Sequence, residues 1–409
     1  MRIYLLLLAV AAAVSFLATP LAWMLAHRLK AVTPVRARDV HTAPTPRLGG
    51  VAIFLGLATA MVVASRIEFL QGVFADTLPW AILLCAGLIC LLGVADDIWD
   101  LDWFTKLVGQ VLIAGLLAWQ GVQLITFPIF GLTIGSSRLS LFATVLAVVI
   151  AVNAVNWVDG LDGLAAGVIA IGGAAFFVYT YLLTQVTSPT DYSNLATVVI
   201  VCLVGACIGF LPHNFYPARI FMGDSGAMLL GLVIAAAAIV VTGQIDPGLL
   251  ATRQALPAFV PIVLPLAVLM LPLADVVITV LRRLAAGKSP FHADRKHLHH
   301  RLLDHGHSHR RTVVILYVWT AVFASSAAAA AVFPTGWVVL GTVIGVALAV
   351  FLSVVHLPVR TSSGWQRMPA GGGHAGGERA GGDGAARHSG GGHGAGGEST
   401  GRDDEMMPR

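Results

Sequence analysis

Apolar residues run along this chain in blocks long enough to cross the ~30 Å hydrocarbon core of a bilayer. Eleven such blocks stand out, at 3–26, 49–65, 79–95, 106–125, 139–157, 163–184, 195–212, 223–242, 257–281, 313–333 and 336–356. Each predicts a membrane-spanning helix. The last two are split only by Phe333-Pro334-Thr335-Gly336, punctuation that favours a tight hairpin. Polar residues are shared unevenly among the connections. Those after the first, third, fifth, seventh and ninth blocks carry dense clusters of charged and amide side chains, and the others carry nothing comparable. Successive spans alternate in direction, so these five connections fall on one face of the membrane.

The expected fold is all-α, a polytopic membrane domain over 1–360 with about eleven transmembrane helices. From 361 onward the chain is Gly, Ala, His, Arg and acidic residues without apolar periodicity. Such a stretch cannot bury enough surface to offset its ordering entropy, which predicts a disordered tail over 361–409. Deleting everything after Thr361 should therefore leave expression and activity essentially intact. A large loss of activity in the truncated protein would give the tail a role.

Composition and charge sharpen this picture. The chain is 57% hydrophobic and 11% charged, against ~25% charged in soluble proteins, which excludes an ordinary soluble protein. Only Arg2 precedes the first block, while Arg28, Lys30, Arg36 and Arg38 follow it. That flank pattern predicts a retained anchor with its N-terminus outside, not a cleaved signal. Fifteen Lys and Arg residues then fall in the inner connections and four in the outer ones, which places the polar face and the C-terminus in the cytoplasm. The net charge of +4 thus reflects orientation, and no nucleic-acid partner is expected. Cys85, Cys90, Cys202 and Cys207 all lie inside apolar blocks, as small packing residues do.

The densest polar stretch is Asn153-Ala-Val-Asn156-Trp-Val-Asp159-Gly-Leu-Asp162-Gly. Residues three apart share a helical face, so these four side chains are expected to form one polar ridge. A simple turn needs one or two such residues, not four. The third block runs into Asp96, Asp97, Asp100 and Asp102, with Lys106 opening the next. Crowded carboxylates call for a cation, and hard oxygen ligands suit Mg²⁺, which takes one or two carboxylates plus substrate phosphates. Adjacent Asp96 and Asp97 diverge by about 100° on a helix. One is expected to face the substrates, and the other to orient a cation or the loop backbone. Asp224 in Gly223-Asp224-Ser225-Gly226 occupies an N-cap position, where spare N–H groups can also receive an anion.

The first inner connection carries His41, Arg47 and further cations suited to phosphate. Asp275 lies inside the ninth block as a buried partner for a cation. The largest inner connection, 288–311, mixes seven histidines with Arg and Lys. Zinc is one reading, but there is no HExxH and no nearby cysteine. Donors to phosphate and a nucleobase edge fit better. Carboxylates for a metal, cations for phosphate and donors for a base at one membrane face together suggest phosphoryl transfer between a nucleotide and a lipid.

Five motifs carry a resemblance. His41-Thr-Ala-Pro-Thr-Pro-Arg-Leu-Gly-Gly50, Asp96-Asp97-Ile-Trp-Asp100-Leu, the stretch 153–167, Phe221-Met-Gly-Asp-Ser-Gly226 and Asp294-Arg-Lys-His-Leu-His-His300 resemble, in order, those of the polyprenyl-phosphate N-acetylhexosamine-1-phosphate transferases. The resemblance implies transfer of a sugar 1-phosphate from a UDP-sugar to a polyprenyl phosphate, releasing UMP, with Mg²⁺ (Mn²⁺ as substitute). It implies metal ligation by Asn156 and Asp224, and catalytic roles for Asp96, Asp97, Lys106 and Asp159. It implies substrate binding by His41, Arg47, Asp100, Asn153, Asp162, Arg295, His297, His299 and His300. Ala227 departs from many relatives, which have Ser there. The run His297-Leu298-His299-His300-Arg301 looks like the branch that uses UDP-GlcNAc to start a cell-wall or surface polymer. The muramoyl-pentapeptide branch, which usually has three consecutive histidines, is the alternative. A homodimer is compatible with the sequence.

Two readings from other classes compete. A cation-coupled transporter would hold its site near the midplane in broken helices, whereas here the carboxylates cluster at one face and only Asp275 lies away from a block's end. A non-catalytic lipid-phosphate binder would need the cations but not the acidic clusters.

Overall fold

The computed structural model describes residues 1–33, 44–124, 126–127, 132–133, 136–187, 194–243 and 307–355. Ten of the eleven apolar blocks are helices there, and the block at 257–281, with Asp275, lies outside the described residues. The helices are α1 (Arg2–Arg28), α2 (Gly49–Ala64), α3 (Gln71–Phe74), α4 (Leu78–Trp99), α5 (Trp103–Trp119), α6 (Ser137–Val158), α7 (Leu164–Thr187), α8 (Leu195–Asn214), α9 (Gly223–Gly243), α10 (His309–Ala329) and α11 (Thr335–Val354). Eight of them are long and apolar enough to span a bilayer. The exceptions among the predicted spans are α2 and α5, with 16 and 17 residues, about 24–26 Å at 1.5 Å per residue. After α2 the chain turns by 97° into the short segment ending in α3.

Two antiparallel ladders of two residues per strand complete the described structure. Val32–Thr33 (β1) pairs with Thr45–Pro46 (β2), and Thr126–Phe127 (β3) with Leu132–Thr133 (β4).

A helix that is apolar all round belongs in the interior, and α8 and α9 follow this rule. Both are buried along most of their length, whereas α11 is almost wholly exposed. Around α8 pack α1, α2, α7 and α9; around α9 pack α2, α4, α6 and α8. All four cysteines are buried, as packing residues.

The hairpin of α10 and α11 is tied at its base. Arg311 donates to the carbonyls of Leu352 and Val355, and the His307 imidazole meets the Ser353 carbonyl at 2.9 Å. Cations are favoured at these last, otherwise unpaired carbonyls of a helix. His307 and Arg311, expected among the phosphate and base donors, are thus engaged in closing α11.

The predicted four-residue ridge is not one helical face. Helix α6 stops at Val158, and Asp159 has already left the helical path. Glycine at 163 then takes φ +76°, a left-handed turn open mainly to glycine. Asn153 and Asn156 stay on α6; Asp159 and Asp162 lie in the link to α7.

Candidate active site

Four helix ends meet at one end of the bundle: the last turns of α4 and α6 and the first turns of α5 and α9. The chain before α2 fastens to this point through backbone bonds. Gly49 and Gly50 donate to the carbonyls of Phe221 and Met222 at 3.0 and 2.9 Å, and Phe221 donates to Pro46 at 2.8 Å. Segment 46–50 is thereby locked beside the Phe221-Met-Gly-Asp224 approach to α9.

At the start of α9 the N–H groups have no partner within the helix. Asp97 supplies one from α4. Its Oδ1 accepts from Asp224 N–H at 2.9 Å and its Oδ2 from Ser225 N–H at 3.1 Å. The anion expected at this helix start is therefore a side chain of the protein itself. Asp224 is not the cap; it is the second residue of α9, and Asp97 caps from another helix. Residue 223 has φ +71°, and any Cβ there would press on the Asp97 carboxylate, so the cap demands glycine.

This frees the Asp224 carboxylate for the cluster. Its Oδ1 accepts from Asn156 Nδ2 at 2.6 Å, and its Oδ2 is paired with the Lys106 ammonium. Lys106 also meets Asp96 Oδ2 at 3.0 Å. A single cation thus sits between carboxylates of α4 and α9. The adjacent aspartates point different ways, as their divergence of about 100° requires: Asp97 orients backbone and Asp96 meets the Lys106 cation.

The remaining acidic residues of the α4–α5 link are elsewhere. Asp100 sits at the exposed end of α4 with φ +52°, off the helical path. Asp102 caps α5, accepting from Phe104 N–H (3.0 Å), Thr105 N–H (2.9 Å) and the Thr105 hydroxyl (2.6 Å). The Thr105 hydroxyl and N–H lower its carboxyl below the usual range.

Asp159 is partly buried beside the cluster. Burial raises its carboxyl to about 8, the charges of Asp224, Asp97 and Asp162 push the same way, and the Arg47 guanidinium opposes them. A carboxyl raised in the folded state loses stability as pH rises from its unfolded value near 4 to its folded value. Asp159→Asn should therefore raise the melting temperature in Mg²⁺-free detergent by on the order of a few °C. The gain should be absent near pH 4 and complete above about pH 8. A pH-independent or negative shift in a thermal-unfolding series would contradict this.

Asp162 is turned toward the link between α8 and α9. Its Oδ2 accepts from Ala218 N–H at 3.0 Å, and its own N–H donates to His309 Nε2 at 3.2 Å. His309 stacks on Tyr216 at 4.5 Å, and Arg310 Nε donates to the Tyr216 carbonyl at 3.1 Å. Tyr317 on α10 donates to the Gly163 carbonyl. This buttress of Tyr216, His309 and Tyr317 was not expected from sequence: His309 belongs to the histidine-rich connection expected to supply phosphate and base donors, and here it supports the α6–α7 link instead. Asn153 lies one turn deeper than Asn156, bonded to Gln110. His41, Arg295, His297, His299 and His300 lie outside the described residues. Among the described residues no three His, Cys, Asp or Glu side chains converge on one point.

Comparison with known proteins supplies independent information. The model of Glycosyl transferase family 4 matches residues 79–242. The chain is 40% identical to a decaprenyl-phosphate N-acetylglucosaminephosphotransferase of Mycolicibacterium smegmatis over 85% of this chain and 87% of that protein. It is 32% identical to a probable undecaprenyl-phosphate N-acetylglucosaminyl 1-phosphate transferase of Bacillus subtilis, over 76% and 80% of the two chains. A phospho-N-acetylmuramoyl-pentapeptide-transferase of Desulforudis audaxviator is 33% identical over 58% of this chain and 77% of its own.

Proposed function

The chain belongs to the polyprenyl-phosphate GlcNAc-1-phosphate transferases of glycosyl transferase family 4, and from that premise we propose that it transfers GlcNAc-1-phosphate from UDP-GlcNAc to a polyprenyl phosphate at the cytoplasmic face of the membrane. The observation that carries the reading is the cluster in which Lys106 bridges Asp96 and Asp224 while Asn156 holds Asp224. The GlcNAc branch is favoured by the broken histidine run at 297–301 and by the longer, more similar alignment with the decaprenyl-phosphate relative. The product would start a cell-wall or surface polymer.

The donor set suits Mg²⁺. One carboxylate and one amide leave most positions to substrate oxygens, as Mg²⁺ prefers. Asp224 would hold the ion with Asn156, whose amide must rotate to present oxygen, since Nδ2 now faces Asp224. When bound, Mg²⁺ supplies charge neutralisation along the diphosphate. In the reaction a lipid-phosphate oxygen bonds to the sugar-side phosphorus, and the bond from that phosphorus to the oxygen of UMP breaks. Lys106 and Arg47 offset the negative charge that gathers on the bridging and leaving oxygens. Asp159 lies beside the same point, with the Arg47 guanidinium near enough to oppose its charge. Asp96 keeps Lys106 charged and aimed.

Purified protein incubated with polyprenyl phosphate, Mg²⁺ and one UDP-sugar at a time tests the reading. UMP should appear with UDP-GlcNAc and not with UDP-MurNAc-pentapeptide. Release only with the muramoyl donor would move the chain to that branch, and release with neither would overturn the proposal.

A further inference from the structure

Three helices build the cluster: α5 brings Lys106, α6 brings Asn156 and α9 brings Asp224. One turn deeper, the same three helices meet again. Gln110 follows Lys106 by four residues, Asn153 precedes Asn156 by three, and Met228 follows Asp224 by four. These spacings put each deeper residue below its partner on the same helical face.

The three deeper residues form a directed chain. Asn153 Nδ2 donates to the Val149 carbonyl at 2.8 Å and to Gln110 Oε1 at 2.7 Å. Because a carbonyl can only accept, the Val149 bond fixes which way the Asn153 amide points. That in turn requires Gln110 to present Oε1, leaving its Nε2 toward the Met228 sulfur at 3.3 Å. Gln110 is 2% exposed and Met228 fully buried. A primary amide in such surroundings costs stability unless it is bonded, so apolar packing alone gives no reason for one there.

We propose that Gln110 is a positioning residue: with Asn153 it locks the axial register of α5, α6 and α9, and so sets where Lys106 and Asn156 stand relative to Asp224. The amide pair does not touch the reacting atoms. It acts through the layer above it. Helix sliding by a fraction of a turn would separate Lys106 from Asp224 by more than an ion pair tolerates, and the Gln110–Asn153 bond opposes that sliding where the helices are tightly packed. For its effect on turnover the inference rests on the proposed transferase reaction.

Gln110→Met, close in volume and without polar atoms, tests it with two readouts. The first needs no activity. In a thermal-unfolding double-mutant cycle of Lys106→Met and Asp224→Asn, the Lys106–Asp224 coupling should fall to half or less of its wild-type value in the Gln110→Met background. An unchanged coupling would overturn the proposal whatever the activity. The second is kinetic: kcat should drop tenfold or more, with KM for UDP-GlcNAc within about threefold. The double variant Gln110→Leu/Asn153→Leu should regain melting temperature, since both polar partners are gone, but not kcat. Recovery of kcat together with melting temperature would reduce the pair to ordinary packing. A wild-type enzyme that released no UMP, with the coupling still lost in Gln110→Met, would sink the transferase reading and leave the positioning role standing.

Discussion

Asp224→Asn should abolish turnover, on the order of 10³-fold or more, while the protein still inserts and unfolds cooperatively. The carboxylate is the point where the Asn156 amide and the Lys106 ammonium converge. Asparagine fills the same volume and can still accept from Asn156, and Lys106 retains Asp96 at 3.0 Å. The backbone N–H of residue 224 keeps its bond to Asp97. The loss is therefore one negative charge at an otherwise intact cluster, and the proposed Mg²⁺ would depend on that charge. UMP release measured across a wide Mg²⁺ range, with thermal unfolding in parallel, separates a lost ligand from a lost fold. Near-normal release at modest Mg²⁺ would remove Asp224 from the metal site.

The second large effect is expected at Asp97, for a different reason. Both carboxylate oxygens accept backbone N–H groups of α9, from Asp224 and Ser225. Asparagine has one acceptor oxygen, so its NH₂ must face one of those donors. A lost bond and two opposed donors at a buried helix start cost about 1–3 kcal/mol and shift the first turn of α9, which carries Asp224. We expect kcat to fall on the order of 10²-fold, equally from mildly acid to alkaline pH. A phosphate monoester has its second pKa near ~6, so a residue acting as base on the lipid phosphate gives a defect that shrinks above that pH. The bond between Asp96 Oδ2 and Lys106 favours charge placement, which predicts a flat profile for Asp96→Asn as well. Recovery of either variant at alkaline pH would assign that residue the base role.

Much of the fold was legible because a bilayer imposes length and apolarity on each span, and the eight runs from 3–26 to 223–242 correspond to α1, α2 and α4 to α9. Their polar ends were legible for the same reason: Asp96, Asp97, Lys106, Asn156 and Asp224 are costly beside lipid and stand out. Spacing could not say what each does. Asp97 and Asp224 read alike, yet Asp97 caps α9 from a different helix while the Asp224 carboxylate meets Lys106 and Asn156. The register of 153, 156, 159 and 162 suggested one face, but α6 ends at Val158, ahead of the last two. Gln110 drew no notice in its apolar run, although a lone buried amide four residues after Lys106 was a signal. Tyr216 and Tyr317 gave none, and His309 read only as one of the seven histidines of 288–311, since their pairing depends on how α10 meets the α6–α7 link.

The central claim is that a phosphorus atom, not an anomeric carbon, is attacked. UDP-GlcNAc labelled with ³²P separately at its two phosphates, incubated with membranes or purified protein, polyprenyl phosphate and Mg²⁺, tests this directly. The account predicts that the sugar-side phosphate enters the lipid fraction and the nucleoside-side phosphate leaves in UMP. Release of UDP carrying both labels, with unlabelled phosphate in the lipid product, would contradict it.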